Sequence, residues 1–140
     1  MNDTDLTRRL LTTPATWAVV GLSTNKARAA HGIAGFLSDQ LGMKIVPIHP
    51  KAETVHGATG YRTLSEVPGQ VDIVDCFVNS RRVGAVVDQA IEEKDRLGIK
   101  AVWMQLGVVD DAAAERARAA GLDVVMNACP AIEAPRLGVV

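Results

Sequence analysis

Aromatic residues make up only 4% of this 140-residue chain, and cysteine occurs only at Cys76 and Cys129. The two thiols form no CxxC or histidine-spaced pair. That argues against a zinc site and reads as free thiols in a reducing compartment. Charge of one sign is also missing: 15 Lys+Arg stand against 16 Asp+Glu, for a net charge of −1. No overall basic field therefore draws the chain to nucleic acid or to an acidic membrane surface, and any anion site must be built locally. No stretch approaches the ~20 apolar residues that cross a bilayer. Asp3, Asp5, Arg8 and Arg9 precede any apolar run, which is not the pattern of a signal peptide. A cytoplasmic protein is expected. Catalytic patterns are missing too. His31, His49 and His56 have no HExxH or other metal spacing, and no Ser-His-Asp arrangement can be argued. No catalytic or metal-binding residue is assigned.

What is present is an apolar, soluble composition: 48% hydrophobic and 22% charged residues. It suits one compact domain over residues 1–140, with a leading segment 1–13 that turns helical at 4–12 through Leu6, Leu10 and Leu11. Short apolar runs, "TWAVVGL", "MKIVPIHP", "VDIVDCF", "KAVWMQLG" and "LDVVMN", read as five strands. Between them lie helical stripes, Ala30-Ile33-Ala34-Leu37-Leu41 and Val83-Val86-Val87-Ala90-Ile91-Leu97. Asp110 is placed to cap a further helix that ends at Gly121. Pro47 marks the second strand as short or near an edge. Leu64 to Val67 allows a short helical turn, and "ACPAIEAPRLGVV" reads as a tail with two prolines. Apolar residues on consecutive strand positions require cover on both faces. The expectation is an α/β, Rossmann-like, doubly wound five-stranded parallel sheet in three layers.

Ligands of such sheets bind beyond the C-terminal strand ends. After the first strand come Gly21, Leu22, Ser23, Thr24, Asn25, Lys26, Ala27 and Arg28. The second and third glycines of Gly-x-Gly-x-x-Gly are absent, and two cations stand in the loop. The following helix would aim free N–H groups at a phosphate, with Ser23 and Thr24 adding hydroxyl donors. After the second strand, where NAD-binding domains carry an acid for the ribose hydroxyls, stand His49, Pro50 and Lys51, and the first carboxylate is Glu53. A lysine there favours a nucleotide with an extra ribose phosphate, and NADP and coenzyme A both qualify. Phe77 and Val78 offer apolar surface to an adenine or a pantetheine arm, while Asn79 and Ser80 touch ligand, cap the next helix, or both. Gln105, Leu106 and Gly107 follow the fourth strand, with Gly107 allowing close backbone approach. Cys129 follows the fifth, in a loop where a thiol would meet a thiol or thioester; an inert, partly buried cysteine is the alternative reading. Asp72, Asp75 and Cys76 read as structural.

Several stretches together resemble a known family: "VVGLSTNKARAAHGIAGFL", "IVPIHPKAETVHGATGYRTLSEVP", "VDIVDCFVNS" and "KAVWMQLGVVDDAAAERARAAGLDVVMNACPAIE". They are similar to the small stand-alone CoA-binding proteins, related in fold to the N-terminal domain of the succinyl-CoA synthetase alpha subunit. The resemblance runs from about Trp17 to Glu133. It implies a Rossmann-like fold with coenzyme A or an acyl-CoA along Gly21–Arg28, Pro50–Lys51, Phe77–Ser80 and the "QLG" turn. Many relatives carry an arginine where this chain has Val78, and an Asp-Arg pair where it has Asn127 and Ala128, so two cationic contacts are absent. The synthetases' catalytic histidine lies in a further domain and is not carried over. The expectation is a CoA-binding protein without an evident catalytic site of its own, its protein partner unspecified. The alternatives are an NADP-dependent oxidoreductase or nucleotide sensor, and a CoA-binding subunit of a larger acyl-CoA enzyme.

Overall fold

The computed structural model describes residues 2–140. Its strands are β1 (Thr16–Val20), β2 (Lys44–Ile48), β3 (Ile73–Cys76), β4 (Ala101–Met104) and β5 (Asp123–Val125). They form one five-stranded sheet in the order β2-β1-β3-β4-β5, and every pairing is parallel. Helices α1 (Thr4–Thr12), α2 (Ala29–Asp39), α3 (Val83–Leu97), α4 (Asp111–Ala119) and α5 (Pro130–Arg136) cover it, with a 3-10 turn at Leu64–Glu66. The fold is the Rossmann-like α/β arrangement that the apolar runs predict.

Both faces of the sheet are sealed, which is why all of β3 and β4 is buried. Trp17, Val19, Ile73, Trp103 and Val125 point to the face that α1, α2 and α5 cover. There the rings of Trp17 and Trp103 meet at 5.5 Å between centroids. Ala18, Val74, Val102, Met104 and Val124 point to the other face, under α3 and α4. Local signals start the helices. Asp3 accepts from the Leu6 N–H at 3.1 Å, and Asp110 accepts from the Ala113 N–H at 3.0 Å. Each cap contributes about 1 kcal/mol.

Pro47 lies on an edge strand, as its sequence context demands. The Pro47 carbonyl faces outward and accepts from the Tyr61 N–H at 3.0 Å. The ring nitrogen points the same way, so the β1–β2 ladder loses no donor. The C-terminal stretch corrects the expectation of a tail, because residues 130–136 form α5. Pro130 stands in the first turn, where an N–H would be orphaned anyway. Pro135 falls in the last turn, and fully buried Ala134 anchors the helix against the sheet. Prolines at the two ends of a seven-residue helix read locally as breakers, and tertiary packing overrides them.

Candidate functional site

In a parallel sheet all C-terminal strand ends share one side. Here the five loops that leave them are tied to one another in series. A Cβ on Gly21 would stand 2.5 Å from the Phe77 carbonyl oxygen, so the first loop lies directly against the end of β3. The Thr24 hydroxyl donates to Glu53 at 3.0 Å, joining the first loop to the second. Ser80 donates to the Gly107 carbonyl at 3.3 Å and accepts from the Val109 N–H at 3.0 Å, joining the third to the fourth. The Gly107 N–H donates to the Asn127 side chain at 2.7 Å, joining the fourth to the fifth. The result is a continuous rim.

The first loop carries the strongest anion chemistry. Helix α2 begins without a side-chain cap and has no acidic residue in its first turn. No acceptor among the described residues takes the N–H of Ala29 or Ala30. These donors sit at the positive end of the helix dipole. Lys26 and Arg28 are exposed and enter no ion pair among the described residues. Inside the loop, Ser23 accepts from the Asn25 N–H at 3.2 Å, and the Asn25 side chain accepts from the Ala27 N–H at 3.0 Å. Ser23 keeps its O–H as a donor. Thr24 does not, since its hydroxyl is committed to Glu53. Leu22 is fully buried, so its side chain is core and only its backbone faces the loop.

Gly21 is what lets the loop turn. Its φ is +101°, and the Phe77 carbonyl fills the space a side chain would need. Gly21→Ala is therefore expected to cost about 2–3 kcal/mol or more in denaturant unfolding, from backbone strain plus the clash. A loss below about 0.5 kcal/mol would show that the turn relaxes freely.

Pro50 and Lys51 are exposed at the second corner, and the Lys51 N–H donates to His49 Nδ1 at 3.1 Å. Glu53, which lies further along the sequence, is folded back onto the first loop. The Thr24 hydroxyl and N–H hold its carboxyl below the usual range, and the Lys51 and His49 charges add to this. The corner therefore presents a cation and an anion together. A Cβ at Gly60 would run into the Glu53 carbonyl oxygen, so a glycine is needed for the close approach there. Nearby, His56 Nε2 lies 2.7 Å from the His31 carbonyl oxygen, and the two rings meet at 4.3 Å between centroids, tilted by 46°. Burial first, then His56 and Lys26, lower the His31 pKa.

Phe77 and Val78 are half-buried and pack on opposite faces of the sheet, so they flank the end of β3 on either side. Asn79 caps the turn into α3, its side chain accepting from the Arg81 and Arg82 N–H groups at 3.1 Å each. Ser80 bridges loops instead. Leu106 is 62% exposed, and Gly107 serves a positive φ of +85° rather than a close approach, since a Cβ there would meet nothing. Cys129 is buried at the start of α5, and Cys76 is buried within β3, where burial pushes its thiol up. Gln105 and Asp75 form a buried pair: Gln105 Nε2 donates to Asp75 Oδ1 at 2.7 Å. Burial pushes the Asp75 carboxyl up to about 8 against the opposing effect of this bond. Asp72 differs, because its oxygens accept from the Thr16 N–H at 2.8 Å and from Gln70 at 2.9 Å.

Glu53, Asp75, Ser80 as a bridge and Asn127 are the contributions that sequence reasoning missed. Asn127 alone left a local signal: an asparagine just after a strand tolerates the left-handed backbone it adopts, with φ +58°. A cavity of about 710 Å³ opens elsewhere, at the N-terminal strand ends beside Arg9, Asp72, Lys94, Lys100 and Asp123. Its cations are already engaged: Arg9 with Asp123, Lys100 with Asp72, and Lys94 with the Ala120 carbonyl. Unpaired donors and free cations mark the loop rim instead.

The CoA binding domain family matches residues 15–135. YneT of Bacillus subtilis, an uncharacterized protein, is 30% identical over 112 residues, covering 80% of this chain and 79% of its own. The solved structure of a hypothetical protein from Pyrococcus horikoshii superposes with a TM-score of 0.87 at 32% identity, covering 97% of this chain and 92% of that one. The alpha subunit of the ADP-forming acetate–CoA ligase II of Pyrococcus furiosus is 28% identical over 85 residues, which span 61% of this chain and 18% of that subunit.

Proposed function

The chain belongs to the CoA binding domain family, and from that membership we propose that it binds coenzyme A or an acyl-CoA along the loop rim, as a binding protein without a catalytic step of its own. One observation carries the reading: the uncapped N-terminus of α2 with unpaired Lys26 and Arg28, next to a glycine turn packed against the end of β3. A pyrophosphate is the kind of group that such an N-terminus favours. The Ala29 and Ala30 N–H groups, the Ser23 hydroxyl, Lys26 and Arg28 would hold it. Phe77 and Val78 supply apolar surface, and Gln105, Leu106, Gly107 and Cys129 lie along the rest of the rim. Calorimetry with coenzyme A and NAD tests this. Coenzyme A is expected to bind more tightly, and equal or tighter binding of NAD overturns the reading.

Lys51 is assigned to the ribose 3′-phosphate. Coenzyme A should then bind more tightly than dephospho-CoA, and Lys51→Ala should close that gap. A charge-assisted hydrogen bond contributes roughly 1.5–3 kcal/mol, and exposure pulls it to the lower end, about tenfold in affinity. Glu53 beside Lys51 offsets part of that attraction. A variant that keeps the full discrimination would move the phosphate to another cation, such as Arg28 or Arg81.

A further inference from the structure

Asp75 lies in the middle of the sheet, in register with Val19 on β1 and Trp103 on β4, and is fully buried. Its polar contact is the Gln105 amide at 2.7 Å, and its Oδ2 has no partner. Among the described residues, Asp75 Oδ2 and Trp17 Nε1 are the sealed side-chain polar atoms without a hydrogen bond. Gln105 Oε1 also takes no protein donor, yet it is not among the sealed atoms, so it reaches the surface. It does so just beyond the end of β4, on the loop rim. The amide thus has one end fixed inside the protein and the other offered outward.

We propose that Asp75 is a positioning residue of the rim: its carboxyl grips the Gln105 amide N–H and so presents Gln105 Oε1 as a fixed acceptor to an N–H or S–H donor on the pantetheine arm of the ligand. The proposal rests on the coenzyme A reading and names one contact within it. An unheld glutamine would rotate and lose the directed acceptor, so the cost of ordering it would fall on binding. The state of the carboxyl matters as well. A neutral Asp75 holds Gln105 without adding charge, whereas an ionised one would place a buried anion beneath a site for a polyanion.

No charge nearby compensates Asp75. β1 and β4 carry no titratable side chain, β5 carries Asp123 and β2 carries Lys44. On its own strand Cys76 points to the other face, and Asp72 lies just before the strand. On the covering helices stand His31 and Asp39 (α2), Cys129 just before α5, Glu133 and Arg136 (α5), and Asp5, Arg8 and Arg9 (α1). None of these hydrogen-bonds to it.

The test is coenzyme A affinity from about pH 6 to about pH 9, either side of the Asp75 titration at about 8, for the wild type, Asp75→Asn and Gln105→Ala. Asp75→Asn keeps a neutral acceptor for the amide. It should bind within about twofold of wild type at low pH, and wild type should fall about tenfold below it at high pH. Titration of the ligand and of the histidines is common to both proteins and cancels in the ratio. Gln105→Ala should weaken binding about tenfold at low pH, where Asp75 is neutral and the held amide is the contact that is lost. Gln105→Met, of similar volume, replaces it if the alanine variant does not fold. Parallel pH profiles for wild type and Asp75→Asn overturn the proposal, as does full affinity without Gln105. A ligand-free readout separates this from the functional reading: the Gln105 side-chain amide NMR signals should follow a titration that Asp75→Asn removes. If coenzyme A binds but those signals do not move, the positioning role fails alone. If coenzyme A binds at no pH, the functional reading fails and the ligand contact with it, while the amide signals still decide the coupling.

Discussion

Stability should fall as pH rises from about 4 to about 8, and Asp75→Asn should remove that fall. Asp75 is fully buried, and burial raises its carboxyl from 3.8 to about 8. The sign follows from proton counting. Below pH 3.8 both the folded and unfolded chains hold the proton, and the contribution is fully present. Between 3.8 and about 8 the unfolded chain releases it while the folded chain keeps it. The folded state therefore loses about 1.4 kcal/mol per pH unit across that window. The total is several kcal/mol out of a typical ~5–15. His31 works in the opposite direction: its lowered pKa costs stability as pH falls through 6.5. Glu53 and Glu133, held low by Thr24 and by Arg136, likewise favour the folded state at higher pH. All three are shared with the variant. Urea unfolding of both proteins across this range isolates Asp75 as their difference. Parallel curves would mean that the folded protein holds Asp75 ionised at no cost.

The fold was legible because its signals are local. Two-sided apolar runs, the 3.6-residue stripes of α2 and α3, the Asp110 cap and the edge-strand proline are each read within a few residues. The α5 helix was not, because Pro130 and Pro135 argue for a break, and only burial of Ala134 against the sheet decides otherwise. In the site, the glycine turn and the exposed Lys26 and Arg28 follow from strand–glycine–helix order. What sequence could not supply is pairing at a distance. Glu53 meets Thr24 across 29 positions, Gln105 meets Asp75 across 30, and Ser80 meets Gly107 across 27. Each partner has an ordinary local explanation as a surface acid, a strand polar residue or a helix cap. Register and loop packing convert them into a tied rim. The Glu53 contact also changes an electrostatic inference, since the second corner is not purely cationic.

Removing both loop cations should have the largest effect on ligand affinity. In Lys26→Ala/Arg28→Ala, coenzyme A should bind about ten- to a hundredfold more weakly at low salt. Each charged contact to phosphate is worth roughly 1.5–3 kcal/mol when well formed, and exposure reduces it towards 1. The pair sits at the N-terminus of an 11-residue helix whose dipole acts on the same anion, so the residual affinity should come from the N–H groups of α2. Neither side chain has an ion-pair partner among the described residues, so unfolding free energy should change by less than about 0.5 kcal/mol. That separates loss of binding from loss of fold. Salt should erase much of the difference between wild type and variant, because the Debye length shrinks to about 8 Å at physiological ionic strength. Glu53→Gln supplies the opposite sign. It removes a negative charge from the same loop while keeping an acceptor for Thr24, so affinity should rise a few-fold by the same electrostatics. If the double variant binds as wild type does at low salt, the anion is not held at α2. The rim would then need another centre, with Lys51, Arg81 and Arg82 among the exposed cations left to supply it.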